Sequence, residues 1–398
     1  MIITILIFII ILGLLVFVHE FGHFIVAKKS GMKVLEFGFG FPPRLVGLQK
    51  IEGKWKVVWG HTSPLPNPPP QGEGIKNDAS VVSSPLRGEV GGGDSTIYSI
   101  NLIPLGGFVR IFGENNEHEQ DSRSFINRPF WARFLTLVAG VVMNVLLAWV
   151  LFSAGFMFGM PTAIDSSQNL PQGATFTNQK LAIVEILPKS PAEMAGLKAG
   201  DEVVSLNGQK FTTIQDIRNF ILVNSGKEIS FEVLRNKSKV NITVNSQKDF
   251  KAGEGPTGIA LANVGNLKFS FFTAIWQGAN ATFSQLSNIV VGLYGLVTSK
   301  IGLGSLGGPV KIAQITGQVA DMGFIYLLQF TAFLSLNLAV LNILPFPALD
   351  GGRIFLLIVE KLRRKRNNPK VEQAINACGF AFLILLMILV TIKDVKGF

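Results

Sequence analysis

The chain of 398 residues contains one cysteine, Cys378, so it can close no intrachain disulfide and build no cysteine-rich zinc module. Charge is scarce: 16% of residues are charged against 48% hydrophobic, a balance that argues against an ordinary soluble protein and for a membrane one. Histidine is scarce too, with only His19, His23, His61 and His118. No motif of a nucleic-acid-binding module is present, so nucleic acid is not an expected partner and the net charge of +10 needs another source.

That source is membrane topology. Residues 1–18 carry no charge and as a helix span roughly 27 Å, nearly the thickness of a bilayer core. A signal peptide would show a basic start and a small-residue cleavage site, and neither is there. Further uncharged runs occupy 134–164, 322–349 and 373–392. The run 269–299 is also uncharged but is studded with Gln277, Asn280, Gln285 and Asn288, which reads as an amphipathic membrane-surface segment. Basic residues cluster after the first span (Lys28, Lys29, Lys33, Arg44) and before the last (Lys361, Arg363, Arg364, Lys365, Arg366, Lys370). With four spans both clusters face the cytoplasm and both termini lie outside.

The expected organisation is a polytopic α-helical membrane protein of about four transmembrane helices with an inserted β-rich domain. The spans are placed at 1–26, 131–160, 322–352 and 371–393, with the surface segment at 269–320. Residues 27–130 form a cytoplasmic, membrane-associated hairpin region. Within it, 62–94 is rich in Pro, Gly and Ser and reads as a disordered insertion in a hairpin loop between the strand-like KWKVVW and TIYSINLIPL. Residues 165–268 alternate strand-like runs (LAIVEIL, EVVSLNG, EISFEVL, KVNITVN) with one helical pattern, IQDIRNFILV.

The chemistry concentrates in His19-Glu20-Phe21-Gly22-His23, an H-E-x-x-H pattern on the first span. Residues four apart share a helix face, so both imidazoles can reach one zinc ion while Glu20 is placed to take a proton from water. Ionisable side chains in an apolar helix are costly, which favours function over chance. A catalytic zinc needs a third protein ligand. His61 borders the insertion and His118 lies in GENNEHEQD, so both read as solvated surface residues. Asp350 is the better candidate, at the end of the third span in NILPFPALDGG, where topology brings it to the depth of the histidines. Pro345 and Pro347 break the helix there, and the freed backbone is tolerated at membrane depth only inside protein or beside a wet cavity. That backbone and Asn342 are candidate substrate contacts, Asn342 toward the oxyanion. The bland alternative is a helix cap formed by Asp350.

HEFGH followed by VAKKSGMKVLEFGFGFPPRL, together with NILPFPALDGG, resembles the site-2 protease family of intramembrane zinc metalloproteases. YSINLIPLGGFVRIFGE, NRPFWARFLTLVAGVVMN and GGPVKIA are similar to its bacterial branch, the regulator-of-sigma-E type of peptidase family M50. The resemblance implies His19, His23 and Asp350 as Zn2+ ligands, Glu20 as the base, and Asn342, Pro345 and Pro347 as substrate contacts. LAIVEILPKSPAEMAGLKAGDEVVSLNGQKF looks like a PDZ domain, which implies a peptide or C-terminus bound by strand addition. Implied substrates are single-span membrane proteins, such as anti-sigma factors or signal-peptide remnants, cut in the bacterial inner membrane with the PDZ domain on the periplasmic side. In the second span Gly140 is followed by Val141 where the family often has proline, a departure expected to touch no ligand; Asn144 is retained.

Two other readings stay open on sequence grounds. A membrane-anchored PDZ adaptor with a structural zinc would need no Glu20 and would have a fourth protein ligand. An ion transporter would carry more acids or histidines in its spans than this chain does.

Overall fold

The uncharged start of the chain forms one helix, α1 (Ile2–Lys29), which carries the H-E-x-x-H pattern in its last third and ends on Lys28 and Lys29. Cations at that end suit the helix dipole. In the computed structural model the described residues are 2–59, 95–114, 121–164, 173–235, 238–250, 255–298 and 307–396. His61, His118 and the expected insertion at 62–94 lie outside them.

Three strands follow: β1 (Val34–Ile51), β2 (Lys54–Val58) and β3 (Ile97–Ile111). Next come α2 (Phe130–Phe158), β4 (Met160–Ile164), β5 (Thr175–Ile186), α3 (Pro191–Ala195) and β6 (Glu202–Leu206). Then α4 (Ile214–Val223), β7 (Glu228–Arg235), β8 (Ser238–Asn245) and β9 (Ile259–Lys268) complete the β-rich part. The chain ends in five helices: α5 (Phe271–Val297), α6 (Pro309–Met322), α7 (Phe324–Ile343), α8 (Asp350–Arg363) and α9 (Pro369–Lys396). Four helices among the described residues are long and apolar enough to cross a membrane: α1, α2, α7 and α9. The stretch expected to lie on the membrane surface holds α5 and α6, neither of which is among those four. The chain divides into two units, Met1–Val150 with Ala281–Phe398, and Leu151–Asn280.

In the first unit the sheet runs β2-β1-β3. The hairpin of β1 and β2 turns at Glu52 and Gly53, both with positive φ (53° and 80°), the geometry of a two-residue turn that matches strand twist. The strands β2 and β3 do not pair with each other; both flank β1. The expected insertion therefore lies in a connection that passes from one neighbour of β1 to another, and not in a hairpin loop. β1 and β3 are also interlaced. Gly38, before the Pro42–Pro43 break, pairs with both Phe108 and Ser99, while Gly47, beyond it, pairs with Ser99 and Val58. Glu36 and Arg44 of β1 form a buried ion pair with contacts of 3.0 and 2.6 Å.

The sheet lies on α1 through aromatic contacts. The Phe37 ring meets Phe17, Phe21 and Phe24 at 5.4, 6.0 and 4.7 Å between centroids. Phe17, Phe21 and Phe24 follow helical spacing, so one face of α1 grips β1 while another carries the histidines.

The third span differs from expectation in where it stops. α7 ends at Ile343, the chain turns through residues 344–349, and α8 starts at Asp350. Asp350 thus opens a new helix instead of closing the span, because Pro345 and Pro347 cannot donate the hydrogen bonds a continuous helix needs. Gly351 and Gly352 make the tight return possible: a Cβ on either would meet the carbonyl oxygens of Leu344 and Ile343, or of Phe346.

The second unit is a six-stranded antiparallel sheet in the order β4-β9-β5-β6-β7-β8. Ile183, Leu206, Ile229, Phe231, Val233 and Val244 form its core with Ile214, Ile217 and Ile221 from α4. Those three isoleucines recur at i, i+3 and i+7, and Thr213 caps the helix by accepting from the Asp216 N–H at 3.2 Å. The four alternating runs and the helical run of this region form β5 to β8 and α4, whereas β4, β9 and α3 have no counterpart in the sequence reading.

Asp201 anchors this unit. It is almost fully buried and accepts from Arg235 at 2.7 and 2.6 Å and from the Lys198 N–H at 2.9 Å. Burial opposes its charge, but the Arg235 and Lys198 hydrogen bonds prevail and hold the carboxyl below its ordinary value. A depressed folded value means the stabilisation is complete above the unfolded carboxylate pKa of about 3.9 and is lost as pH falls through the folded value. Asp201→Asn is expected to cost about 2–4 kcal/mol at neutral pH and to weaken the acid sensitivity of this unit. Hydrogen exchange at the amides of β6 and β7 in the full chain measures both effects.

Candidate metal centre

α1 presents His19 and His23 on one face, both buried, with ring centroids 4.8 Å apart. Asp350, 331 residues away, meets them from the first turn of α8. Its Oδ2 lies 2.9 Å from His19 Nε2 and 3.3 Å from His23 Nε2, and the two Nε2 atoms are 3.2 Å apart. Among the described residues this trio is the one His/Cys/Asp/Glu group able to hold a metal. Its donor triangle suits zinc: ligands about 2.0–2.1 Å from a tetrahedral ion stand roughly 3.3 Å from one another.

The far side of each imidazole is also prepared. His23 Nδ1 donates to the Thr136 carbonyl of α2 at 2.7 Å, which leaves the Nε2 lone pair facing the other two donors. His19 Nδ1 lies 3.2 Å from the Asn144 amide, whose Oδ1 is buried without a hydrogen-bond partner. Turning that amide over lets Oδ1 accept from the His19 Nδ1–H, which satisfies the orphaned oxygen and frees His19 Nε2 as a lone-pair donor. The donor set thus fits a zinc ion on the chemistry of both imidazoles.

α2 reaches the histidines because both helices carry glycine where they meet. A Cβ on Gly140 would collide with His23 Nε2 and stand 2.7 Å from His19 Cε1. A Cβ on Gly22 would collide with the Ala139 carbonyl oxygen and stand 2.7 Å from Met143 Cγ. Val141, where the family often has proline, therefore follows a residue in contact with both imidazoles.

Glu20 does not join the trio's hydrogen bonds. Its Oε2 accepts from the Val109 N–H of β3 at 3.1 Å, so the sheet holds this carboxylate. The Asn342 amide lies 3.4 Å from His19 Nε2. Pro345 is exposed, whereas Pro347 packs against α9, where a Cβ on Gly379 would stand 2.5 Å from Pro347 Cβ. The same helix supports Ala348, which sits at φ 72° and donates its N–H to Asn376 Oδ1 at 3.3 Å. Three residues after Asp350, Arg353 pairs with Glu114 just beyond β3, and Arg133 of α2 pairs with Glu360 of α8 at 2.6 Å. The sequence reading missed Thr136, Asn376 and the Glu114–Arg353 pair, and it noted Gly140 without its packing role. Asn144 was noted without a role.

Buried histidines and an aspartate converge here in a chain with four long apolar helices, an arrangement suited to a metal centre in a membrane protein. The sequence model of peptidase family M50 matches residues 7–59 and 82–386, and the chain belongs to that family. It is 30% identical over 431 residues to the regulator of sigma-W protease RasP of Bacillus subtilis, covering 99% of this chain and 98% of that one. It is 28% identical over 470 residues to the zinc metalloprotease RasP of Geobacillus kaustophilus, covering 98% and 97%. A Clostridium perfringens protein provisionally named a zinc metalloprotease is 34% identical over 382 residues, covering 96% and 95%. A solved PDZ domain from Listeria innocua aligns with 21% of the chain and 92% of its own length, at 21% identity and a TM-score of 0.19. The protein is a zinc metalloprotease of the site-2 type, which decides between the enzyme and adaptor readings.

Two substitutions test the construction of the centre. Gly140→Ala is expected to displace the imidazoles and abolish stoichiometric zinc, as measured by elemental analysis of the purified full chain. Asn144→Ala is expected to weaken zinc affinity about 10–100-fold through loss of the His19 support, as read by chelator competition.

Proposed function

We propose that the chain hydrolyses peptide bonds within or beside the transmembrane segment of single-span membrane proteins, with His19, His23 and Asp350 as the zinc ligands. The observation that carries this reading is the His19–His23–Asp350 triangle, drawn from a long apolar helix and a helix start just beyond another. Bound zinc supplies a Lewis acid that polarises the scissile carbonyl and makes water acidic enough to react. Glu20, steadied by the Val109 N–H, accepts the proton of the attacking water. It returns that proton to the departing amine as the C–N bond breaks, so the peptide gains one water across the cut. Asn342 is suited to donate to the developing oxyanion from beside His19. Pro345 is exposed on the non-helical turn and is suited to touch an extended substrate, while Pro347 holds the turn against α9.

The four apolar helices and the two basic clusters support a bacterial inner-membrane protein with both clusters in the cytoplasm. By the same topology, residues 165–268 lie on the periplasmic side, where a PDZ domain would bind an extended peptide or C-terminus and select substrates. Anti-sigma factors and signal-peptide remnants are substrates of the right class: short membrane segments presented after an earlier cut.

The test is cleavage of a single-span substrate by the purified chain in detergent. Glu20→Gln is expected to lower the rate by about 10²–10⁴-fold with zinc still bound. Full activity in that variant would remove Glu20 from the mechanism. No cleavage by the zinc-loaded wild type across several single-span substrates would overturn the intramembrane reading.

A further inference from the structure

α8 is amphipathic in the reverse sense for a helix in water. Up to Glu360 its charged side chains face protein: Arg353 pairs with Glu114, and Glu360 pairs with Arg133. Ile354 and Leu357 are buried beside them. The side turned away from the protein is apolar. Phe355 is 52% exposed, Ile358 39% and Leu362 77%, and spacings of three and four residues place them on one stripe. A soluble helix would expose its charges and bury this stripe. The arrangement is stable only if the surroundings of the stripe are themselves apolar.

The far end of the helix is strongly basic. Lys361–Lys370 contains six cations and no acid. The helix closes at Arg364 in the left-handed conformation (φ 50°), and residues 361–366 are all exposed. Lys361 lies 4.0 Å from the Phe130 ring and 4.9 Å from that of Trp131, and Trp131 is 62% exposed. An exposed tryptophan at a helix start beside lysine and arginine is the composition of a membrane–water boundary. Among the described residues no carboxylate pairs with Arg363, Arg364 or Lys365. The helix dipole accounts for one or two cations in the last turn, but not for the run that continues past it.

We propose that α8 lies in the membrane interface, with Phe355, Ile358 and Leu362 among acyl chains and Arg363–Arg366 holding the phosphates of acidic lipid headgroups. Charge complementarity selects the occupant, since each cation near an anionic leaflet contributes about 1 kcal/mol of attraction and the apolar stripe supplies the rest. α8 begins with Asp350, so this anchorage at one end steadies the helix that delivers the carboxylate at the other. The lipid site itself does not depend on the proteolytic reading.

The full chain carrying Cys378→Ser and Phe355→Cys, labelled with a nitroxide, is reconstituted into phosphatidylcholine vesicles containing about 30 mol% phosphatidylglycerol. The label is expected to collide with oxygen in preference to a water-soluble nickel chelate. Preference for the chelate would overturn the proposal. Native mass spectrometry of the unlabelled chain then counts the lipids that remain bound. Wild type is expected to retain phosphatidylglycerol over phosphatidylcholine, and a variant combining Arg363→Gln, Arg364→Gln, Lys365→Gln and Arg366→Gln to lose at least about tenfold of that preference. These four side chains are exposed, and an unchanged zinc content confirms that the variant is folded. Equal lipid preference in variant and wild type would overturn the proposal whatever the label reports.

Discussion

Where α1 meets α2, each helix occupies space that a side chain on the other would need. Gly22 admits the Ala139 carbonyl, and Gly140 admits the two imidazoles. Without that approach, Thr136 and Asn144 could not reach the outer nitrogens of His23 and His19, and the histidines would lack defined tautomers. The remaining parts of the centre build on this contact. The sheet grips the aromatic face of α1 and holds Glu20 through Val109, while α8 brings Asp350 to the histidine face. Two missing methyl groups thus decide whether the other pieces have anything to converge on.

Support for Asp350 is spread over four elements. The turn before it is held by Asn376 and Gly379 of α9, the residues after it by Gly351 and Gly352 against their own preceding carbonyls. Arg353 ties α8 to the exit of β3 and Glu360 ties it to α2. A carboxylate on a helix start benefits from the dipole as well as from the histidines. Such redundancy suits a ligand that must stay aligned although it follows a break in the backbone.

The sequence marked His19, His23 and Asp350 as candidate donors because their chemistry leaves a spacing: two histidines four apart in an apolar run, and one acid beside prolines and glycines. It disclosed the four apolar helices because an uncharged run of that length has few other uses. It did not disclose the supports. Gly140 looks like any small residue in a span, and Thr136, Asn144 and Asn376 look like tolerated polar residues, since their partners are chosen by tertiary packing. The pairing of β1 with β3 was hidden for a similar reason. Alternation marks a strand but not its neighbour, so β2 and β3 looked like the arms of a hairpin when each in fact lies beside β1. The end of α7 was misjudged because hydrophobicity continues past Pro345 although helical hydrogen bonding does not.

The distance in sequence between the two halves of the centre has a consequence for biosynthesis. His19 and His23 leave the ribosome well before Asp350, which follows 331 residues after His19. Until α8 has been made and inserted, the histidines have no carboxylate and the nascent chain has no complete donor set. A zinc centre built on this trio is therefore incomplete through most of the chain's synthesis. The order of residues along the chain thus sets when the centre can assemble.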